Sequence, residues 1–110
     1  MSNFRRDRIN EETFREMTEI IRDVKDPRIS SGFMTITRCD VTPDLKFAKI
    51  YFSVLDGDPA ETLKGLKSAS GFMRRELSQR LNLRATPSLT FIYDSSMEHA
   101  AHMQKLFREL

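Results

Sequence analysis

A single cysteine, Cys39, is all the thiol chemistry the 110-residue chain carries. No intramolecular disulfide can form, and no cysteine-based zinc site. Long apolar runs are missing as well: nothing approaches the roughly 20 residues that a helix needs to cross a bilayer. The opening Met1-Ser2-Asn3-Phe4-Arg5-Arg6 lacks the apolar stretch of a secretory signal. There is no low-complexity linker and no internal repeat. These absences lead us to expect a cytoplasmic protein with no membrane partner. Net charge is scarce too, at +2, which by itself says nothing about nucleic acid. What is present is 39% hydrophobic and 31% charged residues, enough for one modest core under a charged surface. A single domain over residues 1–110 is expected.

The first element reads as a helix over 8–24. Phe14, Met17, Ile20, Ile21 and Val24 recur at spacings of three and four and so share a face. Asp7 and Asn10 are both candidate caps. Pro27 ends the helix, because proline disfavours the helical conformation at Asp26. Residues 34–41 and 46–55 read as the strands of a hairpin joined at Thr42-Pro43-Asp44. Ala48, Ile50, Phe52 and Val54 fall on the face expected to meet helices; Lys49, Tyr51 and Ser53 fall on the other. Asp58, Pro59 and Glu61 start a long helix over 59–82. A third strand follows over 88–94, then a last helix over 95–109. Ser95 and Glu98 are its capping box, and Met103, Leu106, Phe107 and Leu110 its apolar edge. This is an α+β pattern: a three-stranded sheet with helices on one face.

The long helix carries the informative anomalies. Leu63, Leu66, Met73, Leu77 and Leu81 form one stripe at about 100° per residue, and Phe72 falls on the far side of it. Gly71 sits in the helix interior beside Ser68-Ala69-Ser70, a combination associated with kinks. A bend or break within one turn of Ser70-Gly71 is expected to turn Phe72 toward the core. From Lys64 to Arg84 the chain places six basic residues (Lys64, Lys67, Arg74, Arg75, Arg80, Arg84) against one acid, Glu76. Such a local field attracts phosphate even when total charge is small. Lys64, Lys67 and Arg75 share an arc of roughly 80°, with Arg74 beside it. Arg5, Arg6 and Arg8 form a second basic cluster.

Four segments resemble the ribosome-binding factor A family: Val24-Lys25-Asp26-Pro27-Arg28; Thr42-Pro43-Asp44-Leu45 with Ala48-Lys49-Ile50-Tyr51; Ala69-Ser70-Gly71-Phe72-Met73-Arg74; and Leu83-Arg84 through Pro87, Leu89 and Phe91 to Asp94. The resemblance implies a type-II KH-like fold in which an Ala-x-Gly kink, matched by Ala69-Ser70-Gly71, replaces the GXXG loop. It implies a bacterial, cytoplasmic, non-catalytic assembly factor of the small (30S) ribosomal subunit. Such a factor promotes 16S rRNA maturation and 5′-end processing, supports growth in the cold, and leaves before translation. No cofactor or metal is implied, and a monomer is expected. The chain departs from the family pattern at Ala100, where many members carry glycine, and in ending at Leu110.

The candidate RNA-binding residues are Lys25, Arg28, Lys64, Lys67, Ala69, Ser70, Gly71, Arg74, Arg75, Arg80 and Arg84. Asp26 and Pro27 need no role beyond ending a helix. Tyr51 is a candidate for base stacking, although a strand tyrosine also serves simply to cover a sheet. His99 and His102 stand three apart on a helix, but no further metal-ligating cluster accompanies them. Cys39 reads as a small buried hydrophobe. The competing class is a small α+β enzyme or protein-interaction domain, since such folds host many functions. An enzyme would need convergent acid, base or nucleophile groups, and the sequence supplies no such set.

Overall fold

The structure, a computed structural model, describes residues 4–30 and 33–108, with the backbone alone for 4–6 and 97–102. The side chains of Arg5, Arg6, Glu98, His99, Ala100 and His102, and all of Leu110, therefore lie outside the described residues. The order is α1 (Phe4–Asp23), α2 (Pro27–Ser30), β1 (Met34–Val41), β2 (Phe47–Val54), α3 (Pro59–Leu81), β3 (Ser88–Tyr93) and α4 (Ser96–Arg108). The sheet order is β1-β2-β3, antiparallel in the first pair and parallel in the second. A parallel pair cannot be joined by a tight turn, and α3 provides the crossover. α1 packs on β1, and α3 packs on β2, β3 and α1. The core lies between that layer and the sheet: Met17, Ile20, Ile36, Cys39, Val41, Ala48, Ile50, Phe52, Leu66, Met73, Leu77 and Phe91 are buried. This is the expected α+β, KH-like architecture, and no helix among the described residues is long and apolar enough to cross a membrane.

Several local expectations change on contact with the fold. α1 begins at Phe4, so neither Asp7 nor Asn10 caps it. Asn10 instead accepts a hydrogen bond from the Val41 amide at 2.8 Å, satisfying a donor at the end of β1. The buried positions of α1 include Thr13 beside Met17 and Ile20, while Phe14 is left exposed. Met17, Ile20, Ile21 and Val24 of the expected stripe pack in or against the core, and Phe14 alone is displaced from it. β1 carries an irregularity between Ile36 and Arg38. Thr37 is set aside there and donates to Asp94 Oδ2 at 2.9 Å. The extra residue shifts the alternation, so that Ile36, Cys39 and Val41 all face the core.

The expected start and stop of α3 are found. The Asp58 side chain accepts from Ala60 N, Pro59 opens the helix, and Asn82 closes it in the left-handed region at φ 53°. Ahead of the last helix the Asp94 carboxylate accepts from Ser96 N at 2.9 Å, while the Glu98 side chain of the expected capping box lies outside the described residues. Met103, Leu106 and Phe107 are exposed, so these described members of the apolar edge expected of α4 do not reach the core.

Burial pushes the Cys39 thiol up to about 12. The thiolate is the reactive form, so Cys39 is expected to resist alkylation at pH 8 in the native protein. It should react at the rate of a free thiol in denaturant. Rapid native-state labelling would mean that β1 opens locally.

Candidate nucleic-acid interface

α3 is an uninterrupted helix from Pro59 to Leu81, so of the bend or break expected at Ser70-Gly71 no break occurs. The Ser70 hydroxyl donates to the Lys67 carbonyl at 3.0 Å, a back-bond that favours bending without breaking. Phe72 is half-buried against the core, as expected, but no break is needed to put it there. α3 is covered on two sides, by the sheet and by α1 with α2. Phe72 lies on the flank that carries Gly65, which meets α2. A single stripe accounts only for the side of α3 that meets the sheet.

Gly65 is the glycine on which the packing depends, and no local pattern singles it out over Gly71. A Cβ there would stand 3.0 Å from Ile29 Cγ1, 3.2 Å from Arg28 Cβ and 3.5 Å from Asp26 Cγ. Asp26 caps α2 through its Oδ1, which accepts from Arg28 N at 2.9 Å. The Arg28 guanidinium clamps the same carboxylate at 3.1 and 2.7 Å and reaches Ser68 Oγ at 3.2 Å. Thr62 Oγ1 donates to the Arg28 carbonyl at 3.1 Å. Asp-Pro-Arg is therefore more than a helix terminator. It builds a short helix, buries Ile29 and ties α2 to α3.

These hydrogen bonds from Arg28, side chain first and backbone second, hold the Asp26 carboxyl below its ordinary value. A depressed folded value stabilises the fold above the ordinary carboxylate range, and this is lost as pH falls through the folded value. Asp26→Asn should lower the melting temperature modestly at pH 7. The difference should shrink once pH drops below about 4. A difference that persists unchanged in acid would show that the pair contributes through packing alone.

The candidate cations separate into distinct groups. Lys64, Lys67 and Arg75 are exposed on one arc of α3, with exposed Gly71 between them. Among the described residues the near neighbour of a Cβ added at Gly71 is Arg75 Nη1 at 3.7 Å, so the helix backbone is bare between the flanking cations. Lys64 meets Glu61 at 3.5 Å. Among the described residues no ion pair engages Lys67 or Arg75. Ala69 and Ser70 are half-buried beside this arc. A shallow groove of roughly 300 Å³ runs along it between α3 and β3, lined by Leu63, Lys67, Ser70, Leu89, Thr90 and Phe91.

Arg74 turns out to be a brace. Its Nε donates to the Pro87 carbonyl at 3.0 Å and its Nη2 to the Thr86 carbonyl at 3.3 Å, fixing the approach to β3 and with it one wall of the groove. Arg80 lies on the opposite flank, 3.3–3.5 Å from Glu16, Glu19, Asp23 and Glu76. It answers an acidic face made mostly by α1, which the local charge count along α3 could not reveal. Arg84 is exposed beyond the end of α3, and Lys25 is exposed between α1 and α2. Arg28 flanks the arc, with its charge already matched by Asp26. Tyr51 is half-buried, with the Arg38 guanidinium 4.1 Å from its ring centre.

The family model described as ribosome-binding factor A matches residues 5–107. A ribosome-binding factor A of Agathobacter rectalis is 50% identical, the match covering 94% of this chain and 87% of the relative. The crystal structure of ribosome-binding factor A from Thermus thermophilus aligns with a TM-score of 0.74 at 20% identity, covering 80% of this chain and 94% of the other. A homology model of the Thermus thermophilus protein, as fitted into the cryo-EM map of its complex with the 30S subunit, aligns with a TM-score of 0.65 at 22% identity. That match covers 78% of this chain and 91% of the other.

Proposed function

The chain belongs to the ribosome-binding factor A family, and from that premise we propose that it is a non-catalytic assembly factor binding the small ribosomal subunit. The observation that carries the proposal is the exposed arc of Lys64, Lys67 and Arg75 around the bare backbone of Gly71, set beside the groove along β3. Cations there contact phosphates of folded 16S rRNA, and the absent side chain at Gly71 lets a sugar-phosphate strand come close. Such contacts carry little sequence information, so recognition rests on RNA shape and on how the domain docks. Arg74 supports this surface from within. Arg80 stabilises the far side of α3 and is not part of it. Lys25, Arg28 and Arg84 flank the arc and extend its reach to neighbouring phosphates.

The factor acts as a cytoplasmic monomer, needs no cofactor, and promotes 16S rRNA maturation and processing at the 5′ end, with the greatest demand in the cold. Sedimentation of cell extract tests the binding. The protein should travel with free small subunits and be absent from whole ribosomes. A strain lacking it should accumulate 16S precursor with an extended 5′ end, more so at low temperature. A protein that stays at the top of the gradient, or follows translating ribosomes, would overturn the proposal.

A further inference from the structure

α1 and α3 cover one face of the sheet, and the other face is built unlike an ordinary solvated surface. Along β2, Phe47, Lys49 and Tyr51 alternate with the buried Ala48, Ile50 and Phe52, and the row closes at Ser53, which is buried as well. Phe47 is 56% exposed at one end of this row, between the exposed Lys46 and Lys49. Its neighbour across the parallel pair is Ser88, and that of Lys49 is Thr90, both exposed and small. The ring is therefore open on that side. Further along, Arg38 pairs with Tyr51 in the register and lays its guanidinium over the ring at 4.1 Å. The two platforms, Phe47 and the Arg38–Tyr51 stack, stand four residues apart on one strand, roughly 13 Å. Of the nearby carboxylates, Asp44 is held in the turn by the Thr42 hydroxyl and the Lys46 amide. Asp40 stands across from Lys49. Arg38 and Lys49 stand on this face by the strand register, and Lys46 is exposed at the entry to β2.

We propose that this face is a second nucleic-acid surface that takes a single-stranded RNA segment, with Phe47 and the Arg38–Tyr51 stack as base platforms and Lys46 and Lys49 as phosphate contacts. The inference rests on the reading of the protein as an RNA binder but uses none of the α3 residues. Bases present a π-face whatever their identity, and both aromatic rings and guanidinium planes accept it. A base-paired segment keeps its bases stacked and cannot use such platforms. The two faces thus sort RNA by state: α3 takes folded RNA through phosphates, and the sheet takes unpaired nucleotides.

The test uses the full chain, a labelled single-stranded RNA of about eight nucleotides, and an RNA hairpin with a short loop. Phe47→Ala should weaken single-strand binding about tenfold and leave the hairpin affinity and melting temperature unchanged. Phe47→Tyr should restore binding. Lys67→Glu with Arg75→Glu should do the reverse, losing the hairpin and sparing the single strand. Equal affinity of Phe47→Ala and wild type for the single strand would overturn the proposal, as would equal loss of both RNAs. If Phe47→Ala keeps both RNAs but is retained less on small subunits, the face belongs to a protein contact, and the proposal again fails. Wild-type protein that binds hairpin and subunit but no single strand sinks this inference alone. Failure to bind hairpin or subunit sinks the proposed function.

Discussion

Gly65→Val is expected to lower the stability of the protein by about 2 kcal/mol, within the usual range for overpacking a well-filled contact. The first added carbon would already stand 3.0 Å from Ile29 Cγ1 and 3.2 Å from Arg28 Cβ. The second of these lies at the root of a side chain and cannot swing away. α2 would have to move as a body, yet it is pinned by the Asp26 cap and by the bond from Thr62 to the Arg28 carbonyl. Valine has a better helix propensity than glycine, by less than about 1 kcal/mol, and this offsets only part of the cost. The melting temperature should fall by roughly 10 °C. Gly71→Ala is the matched control. It enters open space on the same helix and should stabilise by about 0.5–1 kcal/mol through the helix propensity of alanine. Melting curves followed by circular dichroism read both. If the two variants shift the melting temperature in the same direction, the close approach of α2 to α3 does not govern stability.

Lys67→Glu combined with Arg75→Glu should reduce affinity for small subunits or an rRNA fragment by roughly 60-fold near 0.1 M salt. The estimate follows from counterion release: each lost phosphate contact removes about 0.9 from the slope of log affinity against log salt. The same double variant should therefore flatten that slope by about 2. Both side chains are exposed, and neither has an ion pair among the described residues, so thermal stability should move by no more than about 0.5 kcal/mol per site. Arg80→Glu is the contrasting change. It sits among the carboxylates of α1 and Glu76, so it should cost stability and leave the salt slope as it is. Gly71→Val should fold but bind poorly, because a branched side chain would stand between Lys67 and Arg75 where a phosphate must approach. An unchanged salt slope in the folded double variant would remove the α3 arc from the interface.

The sequence by itself determined the order of elements apart from the short α2, the alternation along β2, both ends of α3 and the family. Each of these is written in neighbouring residues. Alternation of period two marks Ala48, Ile50 and Phe52, and Asp58-Pro59 and Asn82 carry capping chemistry that needs no distant partner. The basic run of α3 was legible for the same reason. What that run does was decided only by the tertiary structure. Lys67, Arg74, Arg75 and Arg80 look alike in the sequence. The fold leaves Lys67 and Arg75 open to solvent, turns Arg74 onto the carbonyls of Thr86 and Pro87, and sets Arg80 against acids some sixty residues earlier in the chain. Gly65 and Gly71 show the same division. Both are glycines inside one helix, but only the docking of α2 makes the first indispensable to packing and leaves the second bare. Phe72 is half-buried without a helix break because a helix packed on two sides buries more than one stripe. Local sequence fixes which conformation a segment prefers. Which charges meet and which surfaces close depends on contacts between segments far apart in the chain, and no local pattern encodes those.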